Sequence, residues 1–231
     1  MRALFQRSFA NYKMITHIFD CDGVITDTNN LKKIAFQKVA EKNLPKKYIP
    51  YLLDFHLKNG GKSRWEKFEY IKKKFILDDF DVDASCLDFA DYVEKQMYKE
   101  DLIPSVKDYI NEIIKSHNNY IYVASAGETD QIKRLIKHHK LCIKEENIFG
   151  SPLPKLEIVK NIRNKNINRK IVLYGDSLHD AECAFQIDAK FVFIYGYTKQ
   201  KLEDFTHKYD VKITSKDFSN LTINQISALF S

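Results

Sequence analysis

Asp20 and Asp22 stand one residue apart where an apolar run ends, in FDCDGVITDT at residues 19–28. In an extended strand, residues i and i+2 point to one side. Both carboxylates can therefore face one reaction centre while Cys21 points away. Two clustered carboxylates repel, so the pair calls for a cation or a shared proton. Both remedies suit phosphate chemistry. One carboxylate can attack phosphorus and form an acyl-phosphate. The other can act as general acid, then as general base.

Three further segments carry residues of matching chemistry. IYVASAG at 121–127 places Ser125 after an apolar strand. GSPLPKLEIV at 150–159 sets Lys155 just before an apolar helical stretch. IVLYGDSLHDAECA at 171–184 follows a strand with Asp176 and Asp180. Taken singly, each has an ordinary explanation: D-x-D-G as a turn, Ser125 as a cap, Lys155 as a surface lysine, Asp180 as a helix N-terminal acid.

Taken in order, the four segments resemble the four motifs of the haloacid dehalogenase-like (HAD) superfamily, over nearly the whole chain. The resemblance implies that Asp20 is the nucleophile and Asp22 the acid–base. It implies that Ser125 hydrogen-bonds a phosphoryl oxygen and that Lys155 stabilises the nucleophile and the phosphate. Mg²⁺ would be held by Asp20, the main-chain carbonyl of Asp22, and Asp176, with Asp180 orienting groups behind it. The second aspartate favours phosphate esters over carbon–halogen bonds. Ser177 and His179 receive no role.

Short apolar runs predict strands at 15–20, 119–125, 170–175 and 190–195, with a weaker one near 210–213. Helical patterns lie at 130–140, 156–166 and 180–187. Strands alternating with helices predict an α/β fold with a Rossmann-like parallel sheet. Ligands of such sheets bind beyond the carboxyl ends of the strands, where Asp20, Ser125 and Asp176 fall.

Residues 29–105 differ. Helical patterns at 34–42, 46–59, 64–75 and 83–99 resemble the helical cap that many HAD proteins insert after the first motif. The expected organisation is an extension at 1–13, a catalytic core at 14–28 and 106–231, and a cap at 29–105, hinged at 27–30 and 101–104. Within the cap, HLKNGGKSRWEKFEY at 56–70 contains G-x-S-R, which resembles the specificity loop of β-phosphoglucomutase-like members. Lys62 and Arg64 are thereby expected to bind the non-reacting end of the substrate, and arginine can do so bidentately. The ordinary alternative is a helix start with solvated charges. Trp65 is expected to pack within the cap.

The 231 residues carry a net charge of +6 and are 44% hydrophobic, so one core plus a subdomain can be filled. Lysines are scattered through helical stretches, which reads as a solvated surface; no nucleic-acid motif is seen. No apolar run approaches the roughly 18 residues of a membrane span. The first thirteen residues lack the continuous apolar region of a signal peptide. Four widely spaced cysteines argue against a zinc site or a disulfide framework and point to a reducing cytoplasm.

The reading is a cytoplasmic, monomeric, Mg²⁺-dependent phosphatase acting on a small phosphorylated metabolite, a sugar phosphate or a phosphorylated alcohol. The pattern G-G-x-S-R-x-E-K-F resembles relatives encoded near surface-polysaccharide genes, which implies capsule or nucleotide-sugar metabolism. A phosphomutase would use the same aspartates, but its last motif resembles E-D rather than Gly175-Asp176. A non-catalytic HAD-like binding protein would have lost Asp20 or Asp22.

Overall fold

The computed structural model describes residues 14–116, 119–206 and 208–231; the extension expected at 1–13 lies outside them. Among the described residues, six parallel strands form one sheet in the order β3-β2-β1-β4-β5-β6. They are β1 (Ile15–Phe19), β2 (Tyr120–Glu128), β3 (Ile148–Ser151), β4 (Lys170–Gly175), β5 (Lys190–Ile194) and β6 (Ile213–Ser215). The order reverses at β1, which opens a crevice at the carboxyl ends of β1 and β4.

Side chains alternate across the sheet with the period of two that strands impose. Ile15, Phe19, Val123, Val172, Tyr174, Val192 and Ile194 face one core. Ile18, Ala124, Ile171, Leu173, Phe191 and Phe193 face the other. All five residues of β1 are buried, as a central parallel strand requires. Phe19 stacks on Tyr174 at 4.4 Å between ring centroids, which ties β1 to β4 just below the site.

Helices α1 (Asn29–Asn43), α2 (Ile49–Lys58), α3 (Arg64–Phe75) and α4 (Val82–Gln96) follow the first strand and its loop. Phe36, Leu52, Phe68, Ile71 and Phe89 are buried among them and continue the first core. Helix α3 starts on a capping box, with Ser63 and Glu66 satisfying each other's backbone N–H groups. The chain leaves and re-enters the sheet region through paired segments: Asp27 N–H donates to Asp101 O at 3.0 Å, and Ile103 N–H to Ile25 O at 2.9 Å.

Helices α5 (Val106–Lys115), α6 (Thr129–His138), α7 (Lys155–Lys165), α8 (Leu178–Gln186), α9 (Glu203–Thr206) and α10 (Ile223–Ala228) complete the fold. The structure departs from the sequence reading in several places: α9 and α10 are additional short helices, and β2 runs on to Glu128 rather than ending at 125. The four-residue strand β3 is an additional edge strand, too short and too glycine-bearing to carry a strand signal. Helix α5 is an additional helix; Val106, Tyr109, Ile110 and Ile113 form its buried stripe. The last strand runs over Ile213–Ser215 rather than 210–213.

Candidate active site

Strand register sets the floor of the site. Phe19 is level with Val123 on one side and Tyr174 on the other. Asp20 therefore leaves β1 beside the residues that lead to Ser125 and Asp176. Asp20 N–H donates to Tyr174 O at 2.9 Å, which fixes its backbone. The chain then turns at Gly23, whose φ of +74° lies in the left-handed region. A Cβ there would also lie 2.3 Å from Asn29 Nδ2 and 2.4 Å from Asp176 Oδ2, so a side chain has no room.

Lys155 opens α7 and reaches inward, where it is 3% exposed. Its Nζ lies 2.7 Å from Asp20 Oδ1 and also pairs with Asp180 Oδ1. The other oxygen of Asp180 accepts from Asp176 N at 3.2 Å, Ser177 N at 3.1 Å and Ser177 Oγ at 2.7 Å. Asp180 thus locks the β4–α8 turn and holds the lysine. Burial acts to lower the Lys155 pKa, but Asp180 and Asp20 outweigh it and hold the ammonium charged. Burial acts to raise Asp180, and Lys155 reverses that.

Asp22 is placed differently. Lys32, one turn into α1, pairs with its Oδ2, and Thr28 Oγ1 donates to its Oδ1. Burial favours the neutral acid, yet Lys32 and these hydrogen bonds bring the pKa below the usual carboxylate range. Lys32 and Asn29, which donates to Asp176 Oδ2 at 2.7 Å, are site residues that the sequence reading does not include. Their signal is position: both lie on the first turn of the helix that follows the D-x-D loop.

Ser125 is fully buried at the same end of β2, where its Oγ accepts from Gly127 N–H at 3.0 Å. Ala126 and Gly127, not Ser125, line the cavity above the carboxylates. That cavity, about 230 Å³, lies between the aspartates and helices α1 to α4; Lys62, Arg64 and Lys67 line it too. Gly61 sits hard on the core: a Cβ there would be 2.6 Å from the His179 ring. Arg64 forms an ion pair with Glu128 at 2.6 Å and stacks over Trp65 at 4.5 Å, so its charge already has a protein partner. Lys62 lies over the Phe55 ring at 5.6 Å.

The family model for haloacid dehalogenase-like hydrolases matches residues 17–194. The chain belongs to this family. Among solved structures, a HAD hydrolase of family IA, variant 3, from Entamoeba histolytica is similar, with a TM-score of 0.74 at 15% identity over 94% of this chain and 99% of that one. β-Phosphoglucomutase from Clostridium difficile gives a TM-score of 0.66 at 20% identity over 92% and 95%. CbbY from Rhodobacter sphaeroides, in complex with phosphate, gives 0.67 at 16% over 89% and 95%. These likenesses show the fold. None of the curated proteins compared matches at a significant level. No helix among the described residues is long and apolar enough to cross a membrane.

In this HAD-like hydrolase the carboxylates outnumber their cations. Burial, with Asp180 and Asp22 adding to it, pushes the Asp20 pKa up to about 7 against the pull of Lys155. Burial and the charges of Asp180 and Asp20 raise Asp176 well above the carboxylate range. Oxygens of Asp20, Asp176 and Asp180 lie within 4.8 Å of one another. An all-oxygen, anionic cluster fits a hard cation such as Mg²⁺. Asp180 is engaged by Lys155 and three donors, so Asp20 and Asp176 are the carboxylates left to hold it.

Proposed function

We propose that the chain is a Mg²⁺-dependent phosphomonoesterase that works through an aspartyl-phosphate on Asp20. The observation that carries this reading is one buried carboxylate, Asp20, set against Lys155 at 2.7 Å, with Asp22 two residues away and separately held by Lys32. A carboxylate poised against a cation, with a distinct acid–base beside it, suits attack on phosphorus more than any role in packing.

Asp20 attacks phosphorus, and the bond to the leaving oxygen breaks. That oxygen takes a proton from Asp22. Water then attacks the phosphorus of the acyl-phosphate, gives its proton to Asp22, and phosphate leaves with Asp20 regenerated. Lys32 and Thr28 favour ionised Asp22, the form that accepts the proton of water. An incoming phosphate dianion opposes Lys32 and favours the protonated form needed first. Lys155 bears on the charge that develops at Asp20 and the phosphoryl oxygens. Ser125 is the residue of β2 proposed to serve the phosphoryl group; fully buried, it holds Gly127 N–H, and Ala126 and Gly127 line the cavity above it. Mg²⁺ held by Asp20, Asp176 and the Asp22 carbonyl would neutralise charge so that one anion can approach another.

The helices over the cavity serve as the cap, excluding water and choosing the substrate. Lys62 and Arg64 belong to its substrate-facing loop; Arg64 reaches Glu128 of β2 and so also links cap to core. A cavity of about 230 Å³ suits a small phosphorylated metabolite, such as a sugar phosphate in surface-polysaccharide or nucleotide-sugar metabolism. The protein would act in the cytoplasm as a monomer.

The test is a panel of phosphorylated metabolites assayed for Mg²⁺-dependent phosphate release. Release from a small ester, lost with chelator, supports the reading. Isomerisation of a phosphate ester without release would assign a phosphomutase, and no chemistry on any ester would favour a binding protein.

A further inference from the structure

Lys67 lines the same cavity and is itself buried, 3% exposed. It stands on α3 one turn after Arg64. Its Nζ is held by neutral acceptors, His56 Nδ1 at 3.1 Å and Gly60 O at 3.3 Å, and lies over the Phe36 ring at 5.3 Å. Among the described residues no carboxylate forms an ion pair with it. The carboxylates whose charge it feels inside the cavity, Asp22 and Asp176, are taken by Lys32 and by Asn29 with the proposed cation.

An ammonium buried without a counter-ion is costly, and burial pushes the Lys67 pKa down to about 7. Burial and the neighbouring Lys67 keep His56 neutral, so its Nδ1 accepts rather than repels. An ammonium has three donors, and two are used. Among the described residues the third meets no acceptor, and the group borders the space that a ligand fills. The lysine is therefore placed for a charge that arrives with the ligand. Arg64, by contrast, is neutralised by Glu128.

We propose that Lys67, seated by His56 and Gly60, forms a second anion-binding site, and that the substrate carries a carboxylate or a second phosphate besides the reacting ester. The inference rests on the phosphate-ester reading for the first group only. The substrate class is then a short phosphorylated acid or a small bisphosphate, rather than a neutral sugar or alcohol monophosphate.

The test measures binding, so it does not depend on turnover. Titration calorimetry in Mg²⁺ would compare 3-phosphonopropionate and propane-1,3-bisphosphonate with propylphosphonate, which lacks the second charge. At least one two-acid ligand should bind tighter by about tenfold or more, on the scale of one charge-assisted contact. Whichever gains more identifies carboxylate or phosphate. Lys67→Met should remove the advantage, and Lys67→Arg should keep part of it. Should Lys67→Met fail to fold, the wild-type comparison and Lys67→Gln decide. Equal affinity for all three ligands in the wild type, or an undiminished advantage in the folded variant, would overturn the proposal. A clear two-acid preference in a protein that releases no phosphate from any ester would leave this site standing and remove the phosphatase reading instead.

Discussion

The Lys155 ammonium lies 2.7 Å from Asp20 Oδ1 and at the same time pairs with Asp180. One buried cation thus serves the proposed nucleophile and is itself fixed by a carboxylate that locks the β4–α8 turn. Lys155→Met leaves Asp20, Asp176 and Asp180 facing one another without it. Removing one partner of a buried ion pair should lower stability by about 3–5 kcal/mol, read by urea denaturation. Turnover should fall by about 10²–10³-fold, the scale for losing one preorganised electrostatic partner. A folded variant with near-normal turnover would detach Lys155 from the chemistry.

Lys32 provides a test in which the sign of a pH shift is the readout. Against burial, it helps bring Asp22 below the usual carboxylate range. Without that charge the Asp22 pKa rises. The acid limb of the kcat–pH profile, where ionised Asp22 must accept a proton from water, should therefore move to higher pH in Lys32→Met. Asp22→Asn should lose about 10²–10⁴-fold on alkyl esters, the usual worth of general acid–base catalysis. It should lose less in the phosphorylation step with nitrophenyl phosphate, whose leaving group needs little protonation. An unmoved acid limb in Lys32→Met would separate Lys32 from Asp22 function.

The raised carboxyls make stability depend on pH and metal together. Asp20 is pushed up to about 7, and Asp176 is raised as well. In chelator the native state holds protons that the unfolded chain releases between the ordinary carboxylate range and about pH 7. The contribution of these two carboxyls to stability should therefore fall as pH rises through that window, while buried neutral His17 and His56 act in the opposite sense. Mg²⁺ bound as proposed would replace those protons, so its stabilising effect should grow over the same window. At about pH 8 and about 100 times its Kd, Mg²⁺ should raise Tm by roughly 5–10 °C. Thermal melts at pH 5 and 8 check this. Equal Mg²⁺ effects at both would argue that the acidic cluster does not bind the ion.

The placement of the acidic residues was legible where it was local. The D-x-D spacing at a strand end, and the acids following β4, follow from strand geometry and need no knowledge of distant segments. Lys155 could be placed at a helix start, but its grip on both Asp20 and Asp180 depends on how α7 packs beside α8. Lys32 and Asn29 look like ordinary polar residues of a helix start; only the return of α1 over the D-x-D loop brings them to Asp22 and Asp176. Lys67 shares the buried stripe of α3 with Arg64, Phe68 and Ile71. Its helical spacing marks that stripe in the sequence, but that no carboxylate among the described residues forms an ion pair with it is a tertiary fact. Arg64 was legible as the start of a helix, whereas its partner Glu128 is 64 positions away. Strand β3 has four residues, one of them Gly150, and leaves too little pattern to read.

Transfer of the phosphoryl group to Asp20 is the step on which the proposed reaction depends, and chemical trapping detects it. The enzyme would be acid-quenched during turnover of a good phosphate ester, treated with borohydride and mapped by peptide mass spectrometry. An aspartyl-phosphate is reduced to homoserine, whereas a free carboxylate is not. Homoserine is expected at position 20 only when substrate and Mg²⁺ are present, at higher occupancy in Asp22→Asn, with no turnover in Asp20→Asn. Steady phosphate release with residue 20 unmodified, or retained in Asp20→Asn, would contradict it.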